Sequence, residues 1–155
     1  MVELFEKNAI DFYFKDLAKT GYLDYMSLDM VTELSRLNIP LVYLQSNKKH
    51  IALLSNKPEE FCKLMVKHYF PEINFSVVKG NVDHIPPKPD PAGGKVILKQ
   101  LGMEPSDILF VGDSNIDMQT AKNCSFTGIG AEWGFRTKEE LDDAGANITF
   151  KTPKD

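Results

Sequence analysis

The chain has 155 residues, 43% of them hydrophobic, with 18 basic and 22 acidic side chains and a net charge of −4. That suffices for one core burying about two-thirds of the unfolded chain's surface, and the mild acidity gives no electrostatic case for a nucleic-acid partner. The apolar runs are a few residues long, against the roughly 20 that span a bilayer, and no charged start followed by an apolar signal core is present, so a cytoplasmic protein with no membrane partner is expected.

Residues 3–19 carry Leu4, Phe5, Ile10, Phe12, Tyr13, Phe14 and Leu17 and read as a helix; Leu28, Val31, Leu34 and Leu37 repeat at helical spacing and predict a second over 28–37. Strands are expected near 41–45 and 51–55, then a helix over 58–69. In that helix Cys62 shares the apolar side with Phe61, Met65 and Phe70, so it reads as a core filler, as does Cys124; two lone cysteines suit a reducing compartment. A strand near 75–79 leads to a loop, 85–91, stiffened by Pro86, Pro87, Pro89 and Pro91. A helix over 92–101 ends at Gly102. A strand at 108–112, a helix to 123 and a strand at 127–131 follow. Thr137 and Glu140 form a capping box that opens a helix to about residue 144. Residues 148–150 read as a last short strand before a fraying tail. The alternation predicts an α/β fold, a doubly wound parallel sheet with helices on both faces in three layers.

Chemistry concentrates in ILFVGDSNIDMQTAKN, residues 108–123. Ile108 to Val111 is an apolar run of the kind found in parallel strands covered on both faces. Gly112 lets the chain turn, and a helix starting near 115 puts Asp117 in its first turn, beside Asp113. At a separation of about 4 Å and an effective dielectric of about 20, two bare carboxylates repel by roughly 4 kcal/mol, so the pair calls for a cation or a shared proton. Oxygen donors without a nearby His or Cys favour Mg²⁺ over zinc. The plain alternative for either acid is a helix N-cap. His50, His68 and His84 are too scattered to form a ligand set.

GDSNID, followed by AKN and GIGAEWGFR, resembles the fourth motif of the haloacid dehalogenase-like hydrolases, especially their phosphoglycolate phosphatase-like branch. Pro87-Lys88-Pro89-Asp90-Pro91 resembles the family's third motif, and IALLSNKPEEF at 51–61 its second. The ordered set covers about residues 28–150. The resemblance implies that Asp113 and Asp117 hold Mg²⁺, that Lys88 neutralises the phosphoryl group, and that Ser55, with Asn56 beside it, binds phosphate. A small phosphorylated metabolite, with phosphoglycolate as the guess from the branch, is the implied substrate. Phosphate chemistry suits these residue types, because charge on the transferring group must be neutralised during in-line attack. Taken singly, Lys88 reads as a solvated loop lysine and Ser55 as a helix cap ahead of Pro58.

The family's first motif, DxDGT or DxDxT, is not found. Asp11, Asp24 and Asp29 sit in AIDFYF, YLDYM and SLDMV, and none is followed two places later by Asp. Residues 1–26 then resemble the last part of a helical cap, and 27–155 the core without its first strand. Without a carboxylate nucleophile, covalent transfer has no first step. Two readings stay open: a truncated phosphatase, or a protein that binds metal, phosphate or a partner without turnover. A sheet lacking a strand leaves edge groups unpaired, and a homodimer is one expected remedy.

The triplet Ser-Asn-Lys occurs at 46–48 and again at 55–57. Ser55 is the better phosphate candidate because Pro58-Glu59-Glu60-Phe61 continues the family pattern, with Ser46 as runner-up; the extra LVYLQ run is a candidate for the missing strand position. Where the family has Ala-Gly after the fourth-motif helix, this chain has Cys124-Ser125. GIGAEWG gives GxGxxxG and not the dinucleotide fingerprint, and a receiver-like domain would need an acidic pair after its first strand. Trp133 and Arg136 are expected to pack and orient their loop.

Overall fold

Parallel pairing between strands distant in sequence organises the chain. The computed structural model describes residues 40–153 and 155; the helices expected over 3–19 and 28–37, and the cap boundary at 26, lie outside the described residues. Strand β1 is Ala52–Pro58, helix α1 Glu59–Tyr69, β2 Val77–Asn81, α2 Ala92–Leu101, β3 Leu109–Gly112, α3 Asn115–Cys124, β4 Thr127–Ala131, α4 Lys138–Asp143 and β5 Ile148–Phe150. The strands form two parallel sheets, β1–β2 and β3–β4–β5. The α/β class with parallel strands is the expected one. Among the described residues no strand joins β1 to β3, so each keeps an unpaired edge.

Local signals account for several element ends. Gly102 ends α2 at φ 65°, the left-handed conformation that costs glycine least. The capping box at the start of α4 is present, Thr137 Oγ1 accepting from Glu140 N while Glu140 accepts from Thr137 N. Cys62 and Cys124 are buried, as expected, Cys62 on the apolar side of its helix. Strand β2 starts two residues later than expected and runs on to Asn81, following its pairing with β1 from Ala52 opposite Val77 to Pro58 opposite Asn81; the Lys79 ammonium reaches Glu59 on α1 at 2.5 Å and the Gly80 N–H points to the same carboxylate.

Residues 40–46 are helical, where a strand was expected near 41–45. The Ser46 hydroxyl donates to Val42 O and Asn47 N–H to Tyr43 O, so local hydrogen bonds outweigh the strand preference of the LVYLQ run. Gln45 anchors the helix end by donating to Glu72 O and accepting from Asn74 N. The run therefore does not fill a sheet position, and Val42 and Tyr43 stay exposed.

The second sheet is covered unevenly. In register, Phe110 lies beside Gly128 and Gly112 beside Gly130, on one face. That face meets Ala121 and Met118 of α3 and Leu141 of α4, where a Cβ on Gly128 or Gly130 would touch them. Phe110 packs with Phe126, 6.1 Å between ring centres, over Ala121 and Cys124. Leu109 and Val111 point to the other face and are 66% and 55% exposed. The unbroken apolar run had predicted cover on both faces; among the described residues it is covered on Phe110's side.

Ser125 takes the place of the expected glycine and still adopts φ 60°, ψ 32°, with its N–H bonded to the last carbonyls of α3. The turn survives at the conformational cost of a Cβ in the left-handed region. Ser125→Gly is expected to raise stability by about 1 kcal/mol in urea unfolding. The Lys79 partner holds the Glu59 carboxyl below its usual range, with Lys63 adding to the effect. A depressed carboxyl contributes stability that is present above its unfolded pKa and is lost as pH falls. Glu59→Gln is expected to cost about 1 kcal/mol at pH 7, discounted for its partial exposure, with the gap to wild type closing in urea titrations as pH drops below 4.5.

Candidate active site

The site is built where β1, β3 and the proline-rich loop end. β3 stops at Gly112, where an added Cβ would lie 2.2 Å from Asp117 Cβ. Only a glycine lets the strand end approach the first turn of α3 this closely. Ser114 is the N-cap, its hydroxyl accepting from Asp117 N at 3.2 Å and donating to Asp117 Oδ2 at 2.6 Å. Capping thus falls to Ser114 and leaves both acids for other contacts.

Asp117 is 7% exposed, and its Oδ1 accepts from Lys88 Nζ at 2.5 Å. Both side chains of this ion pair are largely desolvated, so removing either partner would leave an uncompensated charge, at a cost of about 3–5 kcal/mol. Asp113 lies beside Asp117 and accepts from Phe135 N–H at 3.2 Å. Burial pushes its carboxyl above the usual range, the Asp117 charge adds to the rise, and the Phe135 N–H and Lys88 oppose it. Gly134 closes the site, since a Cβ there would sit 2.2 Å from Asp113 Cβ.

Lys88 is positioned as much through its main chain as through its ammonium. Asn56 accepts from Lys88 N–H at 2.7 Å and donates to Lys88 O at 3.0 Å, a two-point clamp from β1 onto the loop. The Lys88 ammonium also lies 5.8 Å from the centre of the Phe110 ring. The Lys88-Pro89 peptide is cis. Ser55 lines the same small cleft as Asn56, Pro87, Lys88 and Gly93. Its hydroxyl accepts from Lys57 N–H at 3.1 Å; it lies three residues ahead of the N-cap of α1, Pro58, and does not cap that helix.

The structure therefore brings Lys88 to Asp117 directly, Asp113 beside that pair, and Ser55 and Asn56 to Lys88 through the cleft. Asn56, expected at the phosphate, has both ends of its amide engaged by the Lys88 backbone. Ser46 donates into its own exposed helix and has no contact with this group. Arg136 pairs with Glu140 of α4 at 3.4 Å, which orients the loop after β4. In the sequence Gly134 and Phe110 stand out only as part of a glycine pattern and of an apolar run. What identifies them is close approach and ring placement, neither of which has a signature in the chain's order.

Among the described residues no group of three His, Cys, Asp or Glu converges. The candidate cation site is thus the two carboxylates alone. That suits Mg²⁺, which keeps several waters and is bound through one or two carboxylates plus substrate phosphate. Gly134→Ala forces the new methyl against Asp113 and is expected to cost about 1–3 kcal/mol, the range for overpacking, read as a lower urea midpoint.

Comparison with known proteins places the chain in a family. Residues 1–131 match the family described as haloacid dehalogenase-like hydrolase. The phosphoglycolate phosphatase of Escherichia coli (strain K12) is 30% identical over 112 residues, covering 72% of this chain and 44% of that protein. That of Pectobacterium atrosepticum is 26% identical over 88% of this chain and 54% of its own length. Among solved structures, a proposed phosphoglycolate phosphatase from Lactobacillus delbrueckii subsp. bulgaricus superposes with a TM-score of 0.71 at 32% identity, covering 77% of this chain and 49% of that one. The chain spans about half the length of the curated relatives it matches. No helix among the described residues is long and apolar enough to cross a membrane. With a family match over residues 1–131 and the three motif regions joined through Lys88, the chain belongs to the haloacid dehalogenase-like hydrolases.

Proposed function

We propose that this chain supplies the cation- and phosphate-binding part of a Mg²⁺-dependent phosphatase that acts on a small phosphomonoester of the phosphoglycolate kind. The observation that supports this most is Lys88, held by Asn56 at its main chain and by Asp117 at its ammonium, next to Ser55 and Asp113. One cation, one hydroxyl and two carboxylates at the ends of parallel strands form the set that a phosphate dianion and a divalent ion require together.

In this reading Asp113 and Asp117 hold Mg²⁺, which supplies charge neutralisation on the phosphoryl oxygens. Lys88 neutralises a further phosphoryl oxygen and the Ser55 hydroxyl donates to another. Asn56 fixes the lysine's backbone so that little ordering is left for the moment of binding. Phosphate arriving at Lys88 competes with Asp117 for the ammonium and frees that carboxylate for the cation, so the two ligands help each other bind. The substrate class rests on the relatives' names.

The sequence contains no Asp-x-Asp pair, so no residue of this chain is assigned as nucleophile. A second reading is that the same site binds metal and phosphate without turnover. The test pairs calorimetry with an assay of phosphoglycolate and a generic phosphomonoester, with and without Mg²⁺. In both readings wild type binds Mg²⁺ and orthophosphate, and Asp113→Asn loses at least tenfold in Mg²⁺ affinity, the loss of one of two charged ligands. Turnover that Asp113→Asn abolishes selects the enzyme, and binding without turnover selects the second reading. Wild type and Asp113→Asn that respond identically to Mg²⁺ would overturn both.

A further inference from the structure

The loop that carries Lys88 is poor in donors. Four of residues 86–91 are proline and have no N–H, so the loop cannot be pinned through a backbone ladder. Two side-chain amides hold it through its carbonyls, and Asn56 also accepts from the Lys88 N–H. Asn56 of β1 takes Lys88 O, and Asn123 Nδ2, in the last turn of α3, donates to Pro89 O at 2.8 Å across 34 residues of sequence. The neighbouring Cys124 thiol lies 3.8 Å from Pro91 O. The end of α3 therefore rests on the loop just beyond the lysine, while its first turn carries Asp117.

Asn123 is exposed on a helix whose other needs it does not serve. Asparagine is a weaker helix former than alanine at such a position, and the residue lies away from the buried row of Met118, Ala121 and Cys124. Its contact joins the two halves of the site: the loop bearing the cationic side chain and the helix bearing its acidic partner. We propose that Asn123 is a positioning residue for Lys88, setting where the ammonium stands by fixing the Pro89 carbonyl to α3. Without Asn123 the loop keeps the Asn56 clamp and the Lys88–Asp117 ion pair, but its main chain beyond the lysine loses the tie from Pro89 O to α3; with both amides, the residues on either side of the Lys88-Pro89 peptide bond are tied to separate elements.

The inference rests on the proposed phosphate role of Lys88, and the test separates the two. On the full chain, Asn123→Ala removes the donor, and Asn123→Asp keeps the size but has no N–H to give. Each is expected to weaken orthophosphate binding by roughly fivefold, the worth of one net hydrogen bond. Mg²⁺ affinity should stay within about twofold or tighten, because Asp113 is held by Phe135 N–H and not by the loop. A defect in α3 itself would instead weaken Mg²⁺ through Asp117. Amide exchange at Lys88 and Asp90 should quicken by a similar roughly fivefold factor in both variants. Unchanged exchange, or equal losses of phosphate and Mg²⁺ affinity, would overturn the role of Asn123. Wild type that binds neither ion while its variants still exchange faster would overturn the site reading and leave the clamp standing.

Discussion

The ion pair between Lys88 and Asp117 is the point on which this molecule's two halves meet. The loop after β2 supplies the ammonium and the helix after β3 supplies the carboxylate, at 2.5 Å with both side chains largely out of water. Among the described residues the two sheets share no strand pairing, so none of these residues sets the distance between them through a ladder hydrogen bond. A buried pair of this kind contributes little net stability and a large penalty for any arrangement that parts it. Its value is registration: with Asn56 clamping the loop to β1, it sets the end of β1 against the end of β3.

That registration is assisted by α2, which leans on both sides. An added Cβ on Gly93 would lie 2.7 Å from Leu54 of β1, and one on Gly94 would lie 2.4 Å from the Cys124 sulfur of α3. The helix thus approaches each half more closely than a side chain would permit. Its partners Cys124 and Phe126 belong to the same core as Phe110, whose ring lies under the Lys88 ammonium. Packing and the ionic contact are therefore arranged around one strand, β3, with Phe110 between the core and the lysine.

Strand β3 shows the limit of reading burial from an apolar run. Ile108 to Val111 is continuous in hydrophobicity, yet side chains alternate across a strand, and each face is covered only where another element packs on it. Phe110 has α3 and Phe126 beneath it, whereas Leu109 and Val111 face outward. Alternation follows from the backbone; cover is a property of what packs nearby.

Several features were legible in the chain because short stretches decide them. The stop of α2 at Gly102, the capping box at Thr137, the burial phase of Cys62 and the placement of two acids after a glycine at a strand end all follow from contacts within a few residues. The family resemblance rested on the same local motifs, and the match over residues 1–131 agrees with it. The Ser-Asn-Lys triplets mark where this ends. At 46–48, Ser46 and Asn47 bond to carbonyls four residues back and finish a helix, with Lys48 left-handed. At 55–57, Asn56 bonds to Lys88, 32 residues away, and the same triplet is strand. The pairing of Lys88 with Asp117, the approach of Gly134 to Asp113 and the reach of Asn123 to Pro89 belong to this second class. Apart from residues 40–46, where helix replaces the expected strand, the order of the described elements and the residue types at their ends came from the sequence, because they depend on local sterics and hydrogen bonds. Which ends meet was left to the tertiary structure, because the partners are far apart along the chain and nothing in either segment encodes the other's position.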